Sequence, residues 1–279
     1  MKKSWVVVII VVSLIGFGVA VFFGIRGARG KRVVAKAKVP VQVTVDRIDH
    51  RIDFSTGIDI AFWSGLTPQR IDLSYQVMIL PWPKEVIPYV DVKSFHDGTQ
   101  IYFYLEWQDP VENADIKVDQ FSDGSAIMFP LGDDVPASTL LMGFMGNANI
   151  WHWKANRDRE FWLGVRTDNF AYVDFYYPFE KEELFVVSKE RIESAATDLV
   201  SARIATVTIK PKQSVAARGE YENGVWRVVF RRDLQVLDAE IDARFSGDII
   251  RCAIAIWDGA NKDRGGRKSI SNWVELAMQ

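Results

Sequence analysis

The spacing of apolar positions changes character once along the chain. Residues 4–25, "SWVVVIIVVSLIGFGVAVFFGI", run for 22 positions without a charge and are apolar on every face. At about 1.5 Å of rise per residue, a helix of that length crosses the ~30 Å hydrocarbon layer of a bilayer. A cleaved signal peptide carries a shorter apolar stretch, about 7–15 residues, with a small-residue cleavage site directly after it. Here the run ends in the basic "IRGARGKR", so residues 1–25 read as an uncleaved membrane anchor. Residues 26–40, basic, rich in small residues and closed by Pro40, read as a linker that holds a domain off the membrane and meets anionic headgroups.

From Val41 onward the period is two. The runs "DLSYQVMIL" (72–80), "QIYFYLEW" (100–107), "NFAYVDFYY" (169–177), "SARIATVTI" (201–209), "VWRVVFRR" (225–232) and "IIRCAIAIW" (249–257) are short and rich in β-branched and aromatic residues. "HDGT" and "ENGV" supply turn chemistry between such runs. Many short strands without alternating helices predict an all-β fold, an antiparallel β-sandwich with minor helices occupying residues 41–279. One helical window is predicted, over 180–199, "EKEELFVVSKERIESAATDL".

Composition narrows the function classes. A net charge of −2 lacks the basic excess of a nucleic-acid surface. Cys252 is the single cysteine, which excludes an intrachain disulfide, a cysteine-rich zinc site, four-thiolate cluster ligation and covalent attachment of a c-type haem. The three histidines, His50, His96 and His152, are far apart, and their spacing recommends no zinc site. On a strand, His152 faces away from both Trp151 and Trp153. Ser269 and Ser271 lie outside any nucleophile motif, and "GDD" (132–134) and "DRE" (158–160) read as solvated loops. Ten tryptophans are the more informative excess: they can be core anchors, sugar-stacking platforms or the walls of a pocket for a flat cofactor.

Four segments then occur in a telling order: "VKSFHDGTQIYFYLEWQDP" (92–110), "MGFMGNANIWHWKA" (142–155), "NGVWRVVFRRDL" (223–234) and "IAIWDGANKDRGGRKSISNW" (254–273). Together they resemble the haem-b binding gamma subunits of the ethylbenzene dehydrogenase and dimethyl sulfide dehydrogenase class of molybdenum enzymes, whose relatives include chlorate and selenate reductases and nitrite oxidoreductases. The resemblance extends from about residue 85 to the end, and the second and fourth segments carry most of its specificity. The anchor, the linker and the charged stretch 178–200 are additions to that pattern. The resemblance implies a sandwich similar to a carbohydrate-binding module, with haem b gripped between a methionine and a lysine. Met142 fits the methionine position, with Met145 the alternative, and Lys268 fits the lysine. Trp151, Trp153 and Trp257 are the expected aromatic contacts of the cofactor.

The ligand pair suits electron transfer. A thioether raises the reduction potential, and a lysine must give up its proton to bind iron. Two protein ligands fill both axial positions, so the chain is expected to relay single electrons rather than to transform a substrate. The implied partners are an iron–sulfur beta subunit and a molybdopterin alpha subunit, with a c-type cytochrome as a candidate external carrier. A cofactor-free carbohydrate-binding module and a haem-free tether of the complex are the other readings. Sidedness pulls two ways: Arg26, Arg29, Lys31 and Arg32 after the anchor favour a cytoplasmic domain, whereas the resemblance implies one outside the cytoplasm.

Overall fold

A computed structural model describes residues 41–76, 80, 82, 85–117, 119–132, 147–165, 192–202, 206–246 and 249–279. The expected anchor and linker, both candidate methionines and the run 169–177 lie outside the described residues. Among the described residues, no helix is long and apolar enough to cross a membrane.

The described strands are β1 (Val41–Arg47), β2 (Gln69–Tyr75), β3 (Tyr89–His96), β4 (Gln100–Gln108), β5 (Gly124–Pro130), β6 (Ala148–Lys154), β7 (Ala196–Ser201), β8 (Val207–Ile209), β9 (Ala216–Glu222), β10 (Val225–Asp233), β11 (Ile249–Trp257), β12 (Ser269–Ser271) and β13 (Val274–Met278). A short helix α1 (Ile60–Ser64) precedes β2, and α2 (Ala155–Leu163) follows β6. Local chemistry sets the hairpins. Asn223 and Gly224 both hold positive φ, 52° and 78°, the backbone that a two-residue turn needs between β9 and β10. Between β3 and β4, Asp97 Oδ1 accepts the amides of Thr99 at 2.7 Å and Gln100 at 2.6 Å, while Gly98 takes φ 92°.

Two layers result. One runs β9-β10-β4-β3-β2 and the other β8-β7-β6-β5-β11-β12, joined where β12 pairs with β2. Nearly all the pairings are antiparallel, but β1 lies parallel to both β13 and β3, and because β13 pairs with β11 it links the two layers a second time. Side chains interdigitate between the layers: Phe103 of β4 meets Trp151 of β6 edge-on at 5.8 Å between centroids, and Trp153 meets Trp226 of β10 at 5.1 Å. Burying each such indole or phenyl removes about 150–250 Å² from water, so this aromatic layer dominates cohesion. The outer face of the first layer is covered by residues 48–66, whose Phe54 and Trp63 pack on Phe95, Tyr102 and Tyr104.

Two expectations are corrected. Residues 196–199, the end of the predicted helix, fall in β7. Pairing with β6 and β8 outweighs helical propensity there. Asp198 on that strand is fully buried in a polar network: Lys210 Nζ donates to it at 2.8 Å and also to Asp242, and Asn149 Nδ2 donates to it at 2.6 Å. The "DRE" stretch is likewise no loop. It lies in α2, where buried Asp158 accepts Trp153 Nε1 at 2.7 Å and the Gly219 amide at 2.8 Å. Burial pushes its carboxyl up to about 7.

Candidate functional site

Strand alternation gives the second layer two different faces. Inward go Ile127 and Phe129 of β5, Trp151 and Trp153 of β6, and Ile254 and Ile256 of β11, all part of the main core. Outward, the register lines up Ile270, Ala255, Ala126 and His152 across four adjacent strands. The next row holds Ala253, Met128 and Ile150, and the row on the other side places Gly124 beside Trp257. This face is apolar and has little bulk of its own, since alanine or glycine occupies 124, 126, 253 and 255. Ala126, Ala255, Trp257 and Ile270 pack as one cluster, and Met128, Ala148 and Ala253 as another with Trp273 against it.

Two nitrogen bases flank Trp257. The Lys268 Nζ stands 4.7 Å from its ring centroid, and the centroid of the His152 imidazole lies 5.0 Å from it. Trp257 itself is pinned by donation from its Nε1 to the Gly265 carbonyl at 3.0 Å. Lys268 precedes β12, and its carbonyl accepts the Gln76 amide at 3.1 Å, which fixes the backbone from which the side chain projects. The lysine keeps some contact with solvent although protein surrounds it on nearly every side, as in a recess. That surrounding protein desolvates the ammonium and pulls it down from 10.5 to about 8. Among the described residues it forms no ion pair with a carboxylate. His152 is driven well below its ordinary value, first by burial and then by the charges of Lys154, Lys268 and Arg157, so its ring is neutral.

Lys268 and Trp257 are therefore brought together, and Trp151 and Trp153 do not join them. Both indoles are fully buried on the opposite face of the sheet, with Trp151 Nε1 donating to Asn149 and Trp153 Nε1 to Asp158. A flat group against Lys268 would have to cross the sheet to touch either, so they act as core anchors. His152, to which the sequence assigned no role, lies beside Trp257, and its alternation with two tryptophans was the available signal. The alternating alanines of "RCAIAIW" were a second signal, of a face kept free of bulk. Met142 and Met145 are outside the described residues.

A deprotonable amine on a low-relief apolar face, beside an indole and a neutral imidazole, suits a flat ligand with an electron-accepting centre. The family described as ethylbenzene dehydrogenase matches residues 61–269. The chain belongs to this family. The matched span of this ethylbenzene dehydrogenase family member runs from α1 to the start of β12 and includes Trp257 and Lys268. The chain is 23% identical over 217 residues to a protein of Haloferax mediterranei provisionally named a respiratory nitrate reductase heme subunit, covering 77% of this chain and 65% of that protein. It is 26% identical over 186 residues to the dimethylsulfide dehydrogenase subunit gamma of Rhodovulum sulfidophilum, covering 64% of this chain and 56% of the relative. The chain thus spans less than two thirds of the length of these relatives. Among solved structures, a family 9 carbohydrate-binding module of Caldicellulosiruptor kristjanssonii in complex with glucose is similar at 11% identity and TM-score 0.42, over 85% of this chain and 95% of that one.

Proposed function

We propose that this chain is a haem-b electron-transfer subunit in which Lys268 and Met142 would hold the iron. The observation that carries the reading is Lys268 itself: an amine with a depressed pKa, set over Trp257 on an alanine-floored face. The donor set fits the group. A neutral amine binds iron through its lone pair, desolvation has already brought the proton within reach of loss near neutral pH, and small residues on β5 and β11 leave little bulk on the face beside it. When bound, a haem supplies reversible one-electron chemistry. Lys268 would hold the group through its free amine, with Trp257 and His152 beside it and Ile270 and Ile150 packed in the same apolar cluster.

Family membership and the names of the relatives support the wider assignment. In it, the chain passes electrons between an iron–sulfur subunit and an external carrier, for a complex whose catalytic subunit holds molybdopterin. The apolar run 4–25 anchors it in the membrane, with the domain outside the cytoplasm. Its members should be isolated together from membranes in mild detergent.

The test is a pyridine haemochrome assay on the purified chain, with absorption spectra of three variants. Met142→Ala and Lys268→Ala should lose haem or its low-spin spectrum, and Met145→Ala should keep both. Loss with Met145→Ala and not with Met142→Ala moves the thioether assignment. Absence of a Soret band in the wild type overturns the reading in favour of a cofactor-free module or tether.

A further inference from the structure

A second constellation lies at one end of the sandwich, where three strands terminate. Asp109 follows the last residue of β4, Asp123 precedes the first of β5, and Asp258 follows the last of β11. β4 belongs to one layer, β5 and β11 to the other. One carboxylate oxygen from each of the three lies within 4.8 Å of the others. Asp123 is wholly buried and Asp109 is 1% exposed.

Three carboxylates this close repel one another, and burial strengthens the repulsion. No basic side chain among the described residues pairs with them. The nearby cations are engaged elsewhere: Lys262 with Asp119 at 2.8 Å, Arg267 with Asp263 at 3.4 Å, and Arg264 over the Phe121 ring at 4.7 Å. Asp123 is well supplied with donors, the amides of Gly259 at 2.8 Å and Asn113 at 2.7 Å and the Trp226 indole at 2.9 Å. Asp109 is not. Its Oδ1 accepts the Val111 amide at 3.1 Å, while its buried Oδ2 has no partner, and neither does the buried Oδ1 of neighbouring Asn113. The Trp107 indole lies near enough to draw the Asp109 carboxyl down, yet neither its Nε1 nor the Asp109 Oδ2 meets hydrogen-bond geometry, and an N–H would satisfy a lone pair without cancelling a charge. A buried carboxylate with an orphaned oxygen, in a triad that no basic side chain among the described residues joins, is what a bound metal ion resolves.

We propose that a calcium ion binds between Asp109, Asp123 and Asp258 and clips the two sheets together at this end. Calcium binds oxygen at about 2.3–2.6 Å, so two oxygens sharing one ion lie at most about 5 Å apart, a limit the triad meets. The donors are all oxygens, with no thiolate or imidazole to favour zinc, and calcium tolerates irregular geometry better than magnesium does. The ion would also tether the start of the 258–268 loop, whose backbone folds on itself through the Asp263 amide donating to the Asp258 carbonyl at 3.0 Å. The inference stands independently of the haem reading.

The experiment uses the full chain in detergent, freed of divalent ions with EGTA. Terbium is the first probe, because Trp107 and Trp226 lie beside the site and can sensitise its emission. We expect emission that saturates near one equivalent and is displaced by calcium. Thermal unfolding should shift upward by several degrees between EGTA and millimolar calcium, since an ion that binds only the folded state stabilises it. Asp258→Asn, at the most exposed of the three, should fold and lose affinity at least tenfold. Asp109→Asn should melt in EGTA no lower than the wild type, because it removes repulsion, yet gain nothing from calcium. No sensitised emission together with equal melting temperatures in EGTA and calcium would overturn the site. So would an unchanged calcium response in Asp258→Asn, or stabilisation by zinc or magnesium and not by calcium.

Discussion

If Lys268 is held in readiness for a ligand, it should be a liability in the cofactor-free chain, and replacing it with methionine should raise stability. The magnitude follows from its surroundings. Desolvation lowers the ammonium from 10.5 to about 8, and each pKa unit corresponds to about 1.36 kcal/mol between the two protonation states. The charged form is thus disfavoured by about 3 kcal/mol. Residual solvent contact reduces that figure, and the attraction between Nζ and Trp257, about 0.5–1 kcal/mol, would be lost on substitution. A gain of about 1–2 kcal/mol at pH 6.5 remains, or roughly 3–6 °C for a domain of about 240 residues. The pH dependence is distinctive. Below about pH 8 both the folded and the unfolded wild type carry the proton, and the full penalty applies. Between there and about 10.4 the unfolded chain binds more protons than the folded one, so wild-type stability rises with pH and the advantage of Lys268→Met shrinks. Denaturant titrations of both cofactor-free proteins at pH 6.5 and pH 9.5 would measure this directly. A variant that is less stable at both values, or a difference independent of pH, would show that the ammonium is solvated and that the recess does not prepare it for a metal.

Three other outcomes are expected. Trp257→Ala should lower haem content or shift the spectrum, whereas Trp153→Phe should lower the melting temperature and leave the spectrum of bound haem unchanged, because only Trp257 shares a face with Lys268; a spectral change in Trp153→Phe would refute the separation of faces. Gly219→Ala should destabilise by about 1–3 kcal/mol in a denaturant titration, since its added Cβ would stand 2.2 Å from Cζ2 of the buried Trp153 ring. Protease added to intact spheroplasts should digest the domain after Lys31; digestion only after lysis would place it in the cytoplasm.

The sandwich was legible in the sequence because strand periodicity and turn chemistry are local. The two-residue period of "VWRVVFRR" and the Asn-Gly turn before it specify β10 and its hairpin with β9 wherever the rest of the chain goes. The same alternation placed His152 opposite its flanking tryptophans. Family membership, and with it the candidate lysine, was carried by short segments whose order survives without knowledge of their contacts.

What tertiary structure alone decided concerns partners distant along the chain. Trp151, Trp153 and Trp257 looked alike as neighbours of motif residues, but only the pairing of β5 with both β6 and β11 puts two of them in the core and leaves the third beside Lys268. Residues 196–199 satisfy a helical reading in isolation, and become strand because β6 pairs along all of them, β8 joins from Leu199 onward and Lys210 waits for Asp198. Asp109, Asp123 and Asp258 are unremarkable carboxylates in three separate loops until strands from both layers end at the same place. Sequence determines which side chains alternate and where the chain can turn; whether two charges 149 positions apart, as Asp109 and Asp258 are, must share one small volume depends on register and layer packing, which no local pattern encodes.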